Sequence, residues 1–253
     1  MSFTLTKTQE LAALRESVSS VRPCQAAALA FGITEIDGRL ADHGLDEAAL
    51  HEVAPATQTL NDDAAATLFA AGVAARCGAA SDGRVLWAVS RFDLYAPGLE
   101  QAGLPPGRIL FAEGRDDKEV LSLMEDALRH GGLAAVVGEV RRADMTATRR
   151  LQLAADAGRT PALLSRRWRR PGVCPLSESS AATSRWRIAC APSERLPAPG
   201  VGRARWTVEL VRQRNGNPFS LLVEACDATG RLALPASPRH RAAPAVRATA
   251  RAA

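Results

Sequence analysis

The stretch LAAVVGEVRRADMTATRRLQLAADAGRTPALLSRR (133–167) predicts a strand, a helix and a second strand. LAAVVGEV (133–140) and PALLSRR (161–167) are short apolar runs typical of buried strands. MTATRRLQLAADAGR (145–159) between them is predicted as a helix. Two strands joined through a helix run parallel in one sheet, so this stretch indicates an α/β architecture.

The same alternation extends towards the N-terminus. Acids at the start and glycine at the end suit the predicted helices, because they match the helix dipole and the left-handed cap. The sequence therefore predicts an α/β fold with a mostly parallel sheet flanked by helices. The upstream strands are predicted at 50–55, 84–90 and 107–113, and the helices at 62–78, 93–103 and 116–132.

The pattern changes after a Ser- and Pro-rich connection at 172–184. The following segments read as strands, and RNGNP (214–218) is a hairpin-turn signal between two of them. We expect this β-rich end to extend the same sheet, with a separate small β subdomain as the alternative. The strand-like segments are RWRIACAPS (185–193), ARWTVELVRQR (204–214) and FSLLVEACDATGRLAL (219–234).

Four regions are predicted along the chain. A helix over 4–20 is expected to end before Pro23, and to pack either on its own core or on a partner. The last region contains four arginines and no acid, which is typical of a disordered end. The regions are an N-terminal helix and linker (1–30), a core (31–171), a β-rich C-terminal extension (172–236) and an arginine-containing tail (237–253).

Composition excludes several classes of protein. With 253 residues, 47% of them hydrophobic, the chain can bury one sizeable core. We find no run of 18 apolar residues and no secretory signal, so no membrane partner is expected and the cytoplasm is the predicted location. Five cysteines without a CxxC pair, and four histidines, argue against a zinc or disulfide framework. We expect no metal, no cofactor and no thiol chemistry.

The basic residues exclude one motif outright. Of 32 lysines and arginines, only Lys7 and Lys118 are lysine, and neither follows a glycine. A phosphate-binding loop of the GxxxxGK[ST] type is therefore absent. Nine arginines stand between 141 and 170 against two acids, whereas 93–126 is acidic. This asymmetry favours an anionic ligand or an acidic surface on a partner protein.

Local motifs resemble the core of RecA-like ATPases over about residues 28–170. FGITEIDGRLADHGLDEAALHEVAP (31–55) is similar to the segment that leads into the phosphate loop of that family. LWAVSRFDLYAPGLEQAGLPPGRILF (86–111) resembles the next stretch, with Tyr95, Leu99 and Gly103 in step. The resemblance implies a RecA-like core whose Walker B strand is 133–140.

The nucleotide motifs of that family are missing. APATQTLNDDA (54–64), which we name the degenerate loop, replaces the glycine-rich loop and contains neither glycine nor lysine. Gly138 stands where the Walker B aspartate is expected, and Glu139 is predicted to face the other side of the sheet. We therefore expect loss of ATP binding. The degenerate positions are Ala54, Pro55, Thr57, Thr59 and Asn61.

The combination with a C-terminal E..D.TG.L.L segment (224–234) looks like the ImuA family of RecA-like accessory factors in bacterial inducible mutagenesis. This resemblance implies a non-enzymatic adaptor of the DNA-damage response that supports translesion synthesis. Its implied partners are ImuB, a catalytically inactive Y-family polymerase homologue, and RecA. The implied location is the cytoplasm, at the nucleoid after damage.

Basic residues are the candidates for contact with DNA or a partner. A solvated basic face is the alternative, and Trp168 either stacks on a ligand or covers a strand end. The arginine tail either adds phosphate affinity or is inert. The candidates are Arg149, Arg150, Arg166, Arg167, Trp168, Arg169, Arg170, Arg212 and Arg214.

Two other functions remain open from the sequence. One is a RecA-type ATPase whose pocket is lined by Thr57, Thr59 and Asn61. The other is a division inhibitor of the SulA type, for which no specific residues stand out. Asp93 lies near the water-activating acid of active relatives, but we interpret it as a turn residue or helix cap because no lysine holds a phosphate there.

Overall fold

The computed structural model describes residues 28–193, 196 and 199–235. The helix predicted at 4–20 and the arginine tail at 237–253 lie outside these described residues.

The strands form one large sheet and a small two-stranded sheet. The large sheet has the order β10-β9-β8-β3-β7-β6-β4-β5, in which β8 through β5 run parallel and β9 and β10 are antiparallel. The strands are β1 (Ala28–Leu29), β2 (Leu45–Asp46), β3 (Leu50–Pro55), β4 (Val85–Val89), β5 (Ile109–Glu113), β6 (Ala135–Val140), β7 (Ala162–Arg166), β8 (Ser184–Ala191), β9 (Arg205–Gln213) and β10 (Phe219–Glu224).

Helices cover both faces of the parallel part. One core lies between the sheet and α2, and the other lies between the sheet, α4 and α5. The helices are α1 (Thr34–Asp37), α2 (Leu60–Ser81), α3 (Ala96–Gln101), α4 (Asp117–His130) and α5 (Met145–Gly158), with short 3-10 turns at Pro106–Arg108 and Pro175–Ser177.

The predicted element order is confirmed, and the β-rich extension joins the main sheet. β8 pairs in parallel with β3, so the extension and the core share one sheet. A strand over the whole of 219–234 is wrong, because β10 ends at Glu224. The Asp227 carboxylate then accepts from the backbone N–H groups of Thr229 and Arg231, which turns the chain back. Ala233 returns to bridge with Glu224.

Helix α2 is apolar because it is a core helix. Its 22 residues would be long and apolar enough to cross a membrane by composition alone, but 61% of that apolar window is buried inside the fold. Phe69 of α2 stacks with Phe31 and tilts against Trp186 of β8, and Trp186 meets the edge of Phe219 of β10. These aromatic contacts fasten the extension to the core.

The segment after β10 docks on the core through glycines. A Cβ on Gly103 would lie 2.4 Å from the Gly230 nitrogen, and one on Gly72 would lie 2.3 Å from the Cys226 sulfur. Gly230 has a φ of 74° and approaches the Gly72 carbonyl. Gly230 of the E..D.TG.L.L pattern therefore allows the backbone after β10 to approach the backbone of α2 closely, which explains why glycine stands at this position.

Candidate functional site

A cleft of about 350 Å³ opens at the edge where the parallel strands have their carboxyl ends. We name this the carboxyl edge, and the opposite one the amino edge. Residues after β3, β4, β6 and β7 line the cleft, since parallel strands bring their carboxyl ends together. The degenerate loop forms one wall, and the segment after β7 forms the other.

The degenerate loop is closed by a carboxylate of its own chain. Asp62, in the first turn of α2, accepts hydrogen bonds from the Thr57 backbone N–H at 3.0 Å and the Thr57 hydroxyl at 2.5 Å. Its other oxygen accepts from the Cys190 N–H of β8 at 2.7 Å. Thr59 caps the helix by accepting from the Asp62 N–H at 3.3 Å. The N–H groups of Thr57 and Asp62 at this end of the helix are therefore already bound within the chain.

Acidic charge fills the helix end that would otherwise attract an anion. The N-terminus of a helix carries a partial positive charge and binds phosphates readily. Here Asp62 and Asp63 lie in the first turn of α2, and Asp62 is buried. Two carboxylates at this position oppose the partial positive charge of the helix end, and Asp63 also pairs with Arg167.

Arg167 fills the inner part of the cleft. Its Nε donates to Glu139 Oε2 at 2.8 Å, its Nη1 pairs with Asp63, and its Nη2 lies 3.8 Å from Asp93. Burial alone would lower the pKa of Arg167, but the Glu139 and Asp63 carboxylates raise it above its ordinary value. We name Arg167, Glu139, Asp63 and Asp93 the cleft cluster, which places one cation among three carboxylates at the inner end of the cleft.

The structure corrects the prediction for β6. Gly138 does not face the cleft, because a Cβ there would lie 2.1 Å from the Met124 sulfur of α4. Glu139, predicted to point away, lines the cleft and accepts from the Trp87 indole at 2.9 Å. Burial raises the pKa of Glu139, and Arg167 opposes the rise. The strand does carry an acid towards the loop, but Arg167 and Trp87 already bind it.

Arg166 is not a surface contact, which corrects another prediction. Its side chain is fully buried on the opposite face of β7 from Arg167. There it pairs with Glu52 of β3 at 2.8 Å and Glu178 at 2.7 Å, and Arg185 of β8 pairs with the other oxygen of Glu52 at 2.6 Å. We name these four residues the inner cluster. It joins β3, β7, β8 and the connection after β7.

The segment after β7 is fastened to the degenerate loop. The Trp168 indole donates to the Pro55 carbonyl at 3.1 Å, and the Gln58 amide donates to the Arg170 carbonyl at 3.1 Å. Trp168 is half-buried, while Arg169 and Arg170 are exposed. The expectation that Trp168 covers a strand end fits its contact with Pro55, and it also lines the cleft.

The remaining basic candidates are exposed but not gathered together. Arg149 and Arg150 lie on α5, where Arg150 pairs with Glu125 at 2.6 Å. Arg212 lies opposite Arg185 in the β8–β9 register, near the start of β8, and therefore at the amino edge. Arg214 follows β9 at that same edge and is exposed.

The three residues suggested for a non-standard ATPase do not line one pocket, although the Thr57 and Thr59 hydroxyl oxygens lie 3.0 Å apart. Of Thr57, Thr59 and Asn61, Thr57 alone lines the cleft. Its hydroxyl is bound to Asp62, and Asn61 is exposed at the start of α2. Asp93 lies in the irregular segment between β4 and α3, does not cap α3, and its carboxylate lies 3.8 Å from the Arg167 guanidinium.

Sequence reasoning missed several residues of the cleft. Asp62 and Asp63 were visible as helix-start acids, but their inward direction was not. Arg91 and Arg141 also line the cleft, and each follows a predicted strand. Their position directly after strands 84–90 and 133–140 was the signal that could have found them.

The fold and the cleft define a RecA-like protein in which the loop after β3 contains neither glycine nor lysine, and in which Asp62 binds Thr57 of that loop. A crystal structure of the RadB recombinase has the same fold, with a TM-score of 0.54 at 16% identity, over 81% of this chain and 98% of that chain. No family model matches the chain.

Protein ImuA of Caulobacter vibrioides, from strains NA1000 / CB15N and ATCC 19089 / CIP 103742 / CB 15, is 41% identical over 205 residues. The match covers 79% of this chain and 84% of that protein. The chain therefore belongs to the ImuA family. This membership and the RecA-like fold together support a RecA-like accessory role in mutagenesis.

Proposed function

We propose that the protein is a non-catalytic accessory factor in DNA-damage-induced mutagenesis. The observation that carries this proposal is the self-closed degenerate loop, in which Asp62 binds the Thr57 N–H and hydroxyl. A RecA-like core without a phosphate site keeps its surface for partners but cannot be driven by ATP hydrolysis. Such a core is suited to hold partners rather than to turn over nucleotide.

We infer that the direct partner is an ImuB-type inactive Y-family polymerase homologue, and that RecA is a second partner. In this role the protein connects the two and supports translesion synthesis at the nucleoid after damage. Family membership supports the partner class. We place the partner contact on the β-rich extension, because β8 pairs with β3 of the core sheet and so holds this region rigidly.

Exposed arginines at the amino edge supply the charge for such a contact. Arg212 and Arg214 stand at the end of β9, and both are exposed. The Arg212 guanidinium donates to the Ser180 carbonyl at 3.1 Å, which holds its direction. We propose that these two side chains meet an acidic patch on the ImuB-type partner. Charges at the margin of an interface steer association and make it sensitive to salt.

Binding of the full chain to its purified ImuB-type partner tests the proposal. We expect saturable binding that weakens between low and high salt. The double variant Arg212→Glu/Arg214→Glu should bind at least about tenfold more weakly and lose most of the salt dependence. Far-ultraviolet circular dichroism should show an unchanged fold for both proteins.

The matched control is Arg169→Glu/Arg170→Glu, which makes the same charge change at the carboxyl edge. It should leave affinity for the ImuB-type partner within about twofold. Equal loss in both variants would overturn the placement at the amino edge. No binding of the wild-type chain would overturn the adaptor role itself. A RecA filament on single-stranded DNA is the second analyte, with binding expected.

A further inference from the structure

Four arginines surround the mouth of the cleft, and we name them the rim arginines. All four line the cleft and are exposed. Within the described part of the chain, none of their side chains forms an ion pair with a carboxylate. This distinguishes them from Arg167, which three acids surround. The rim arginines are Arg91, Arg141, Arg169 and Arg170.

The backbone beneath the rim arginines is fixed by specific hydrogen bonds. The Asp117 carboxylate, at the start of α4, accepts from the Arg141 and Arg142 N–H groups at 3.1 and 2.9 Å. Gln58 holds the Arg170 carbonyl from across the cleft. The arginines therefore extend from an ordered frame, which lowers the entropy cost of binding a ligand.

The acids of the cleft do not cancel the charge of its mouth. Glu139 is 7% exposed and lies inside with Arg167, which also pairs with Asp63. Asp117 is occupied by the two backbone N–H groups. The lining of the cleft thus carries four carboxylates, on Asp63, Asp93, Asp117 and Glu139, against five arginines, and the rim arginines leave it with a net charge of +1.

Aromatic faces stand beside the basic rim. Phe92 follows Arg91 directly, is 59% exposed, and packs against Phe111 with ring centroids 5.1 Å apart. Tyr95, three residues further along the chain, is 73% exposed. Trp168 lines the cleft itself. An exposed aromatic side chain that is supported from behind is a platform on which a nucleobase can stack.

We propose that single-stranded DNA binds across the mouth of the cleft, with its phosphates on the rim arginines and a base against Phe92. Positive side chains that follow the backbone, interleaved with aromatic faces, are the features that bind single strands without sequence preference. An acidic peptide would pair with the arginines, but it has no bases to stack on the exposed aromatic rings. This inference goes beyond the proposed adaptor role and does not depend on ImuB binding.

Fluorescence anisotropy of a labelled 20-nucleotide oligo-dT with the full chain tests this site. If four phosphates are neutralised, affinity should fall about 50-fold between 50 and 200 mM salt, from a slope of about −0.7 per phosphate. The variant Arg169→Ala/Arg170→Ala should reduce that fall to about 7-fold. Phe92→Ala should weaken binding by about tenfold without changing the slope.

The matched controls sit away from the cleft. Arg159→Ala/Arg214→Ala removes the same charge at exposed positions at the amino edge, and Leu153→Ala removes an exposed apolar side chain from α5. Both should bind oligo-dT as the wild type does. If the arginine control weakened oligo-dT binding as much as Arg169→Ala/Arg170→Ala, binding would depend on net charge alone, and the proposed site would be overturned. Displacement of oligo-dT by poly-glutamate at equal charge concentration, with Phe92→Ala unaffected, would instead assign an acidic protein ligand and also overturn it.

Discussion

Two consecutive arginines at the end of β7 have opposite surroundings. Arg166 is fully buried in the inner cluster, while Arg167 is 21% exposed in the cleft cluster. The side chains alternate across the strand, so Arg166 joins β7 to β3 and to the connection after β7, whereas Arg167 lines the cleft. A run of arginines in the sequence therefore contains a structural residue, a cleft residue and two surface residues, Arg169 and Arg170.

The two clusters differ in how far water reaches their carboxylates. In the inner cluster, Glu52 is 0% exposed and depends on Arg166 and Arg185 for its stabilisation. In the cleft cluster, Asp63 and Asp93 are partly exposed and retain contact with water. The first cluster connects three strands of the sheet, and the second lies at the inner end of the cleft.

The largest effect is expected from breaking the inner cluster. Arg166→Leu should destabilise the protein by about 3–5 kcal/mol, because it leaves the Glu52 and Glu178 carboxylates without this partner and Glu52 without water. Urea unfolding followed by circular dichroism measures the loss. Arg167→Leu is the matched control and should cost clearly less. Equal losses for the two variants would contradict the division into a structural and a cleft arginine.

A second experiment tests side-chain alternation on β6, where Gly138 and Glu139 lie on opposite faces of the strand. Gly138→Ala should destabilise by about 1–3 kcal/mol, because its Cβ would collide with Met124. A double-mutant cycle with Met124→Ala should show a coupling of the order of 1 kcal/mol, with the pair costing less than the sum. Strict additivity would mean that Gly138 does not meet Met124.

The pH dependence of stability tests whether the polar side chains of β3 are buried. His51, next to Glu52, is buried with its ring nitrogens 2.7 Å from the Ser184 hydroxyl and 2.9 Å from the Asp46 carbonyl. Burial lowers the pKa of His51 below its ordinary value of 6.5. The unfolded chain therefore takes up a proton first, and stability falls as the pH drops below about 6.5.

The free energy of unfolding at pH 7.5 and pH 5.5 measures this effect. The part due to His51 should be at most about 1.4 kcal/mol for the pH unit below 6.5. His51→Gln removes the titrating group, so its stability should change less over the same interval. A variant with the full wild-type pH dependence would show that another group is responsible.

The smallest effect is expected at the surface pair of α4 and α5. Arg150 is 62% exposed and pairs with Glu125, which also binds Arg129 at 2.7 Å. Arg150→Ala should change stability by less than about 1 kcal/mol, because Arg129 remains and solvent screens the pair. Urea unfolding checks it, and a loss as large as that of Arg166→Leu would contradict the burial argument.

The sequence was sufficient for the order of elements but not for the direction of side chains. The bounds of β3 were predicted without error, and the hairpin signal at 214–218 lies between β9 and β10. Strand alternation put Glu139 on the face opposite to Gly138, but which face looks into the cleft depends on helix packing. Arg166 likewise looked like its exposed neighbours, because its acids are remote in the sequence.

A calorimetric titration of the full chain with ATP and Mg²⁺, with phosphate release followed in parallel, tests whether the loop after β3 still binds nucleotide. Because Asp62, Asp63 and Arg167 occupy the loop and the cleft, we predict no saturable heat at millimolar nucleotide and no turnover. Magnesium-dependent ATP binding or hydrolysis that is abolished by Thr57→Ala would contradict a site closed by its own side chains.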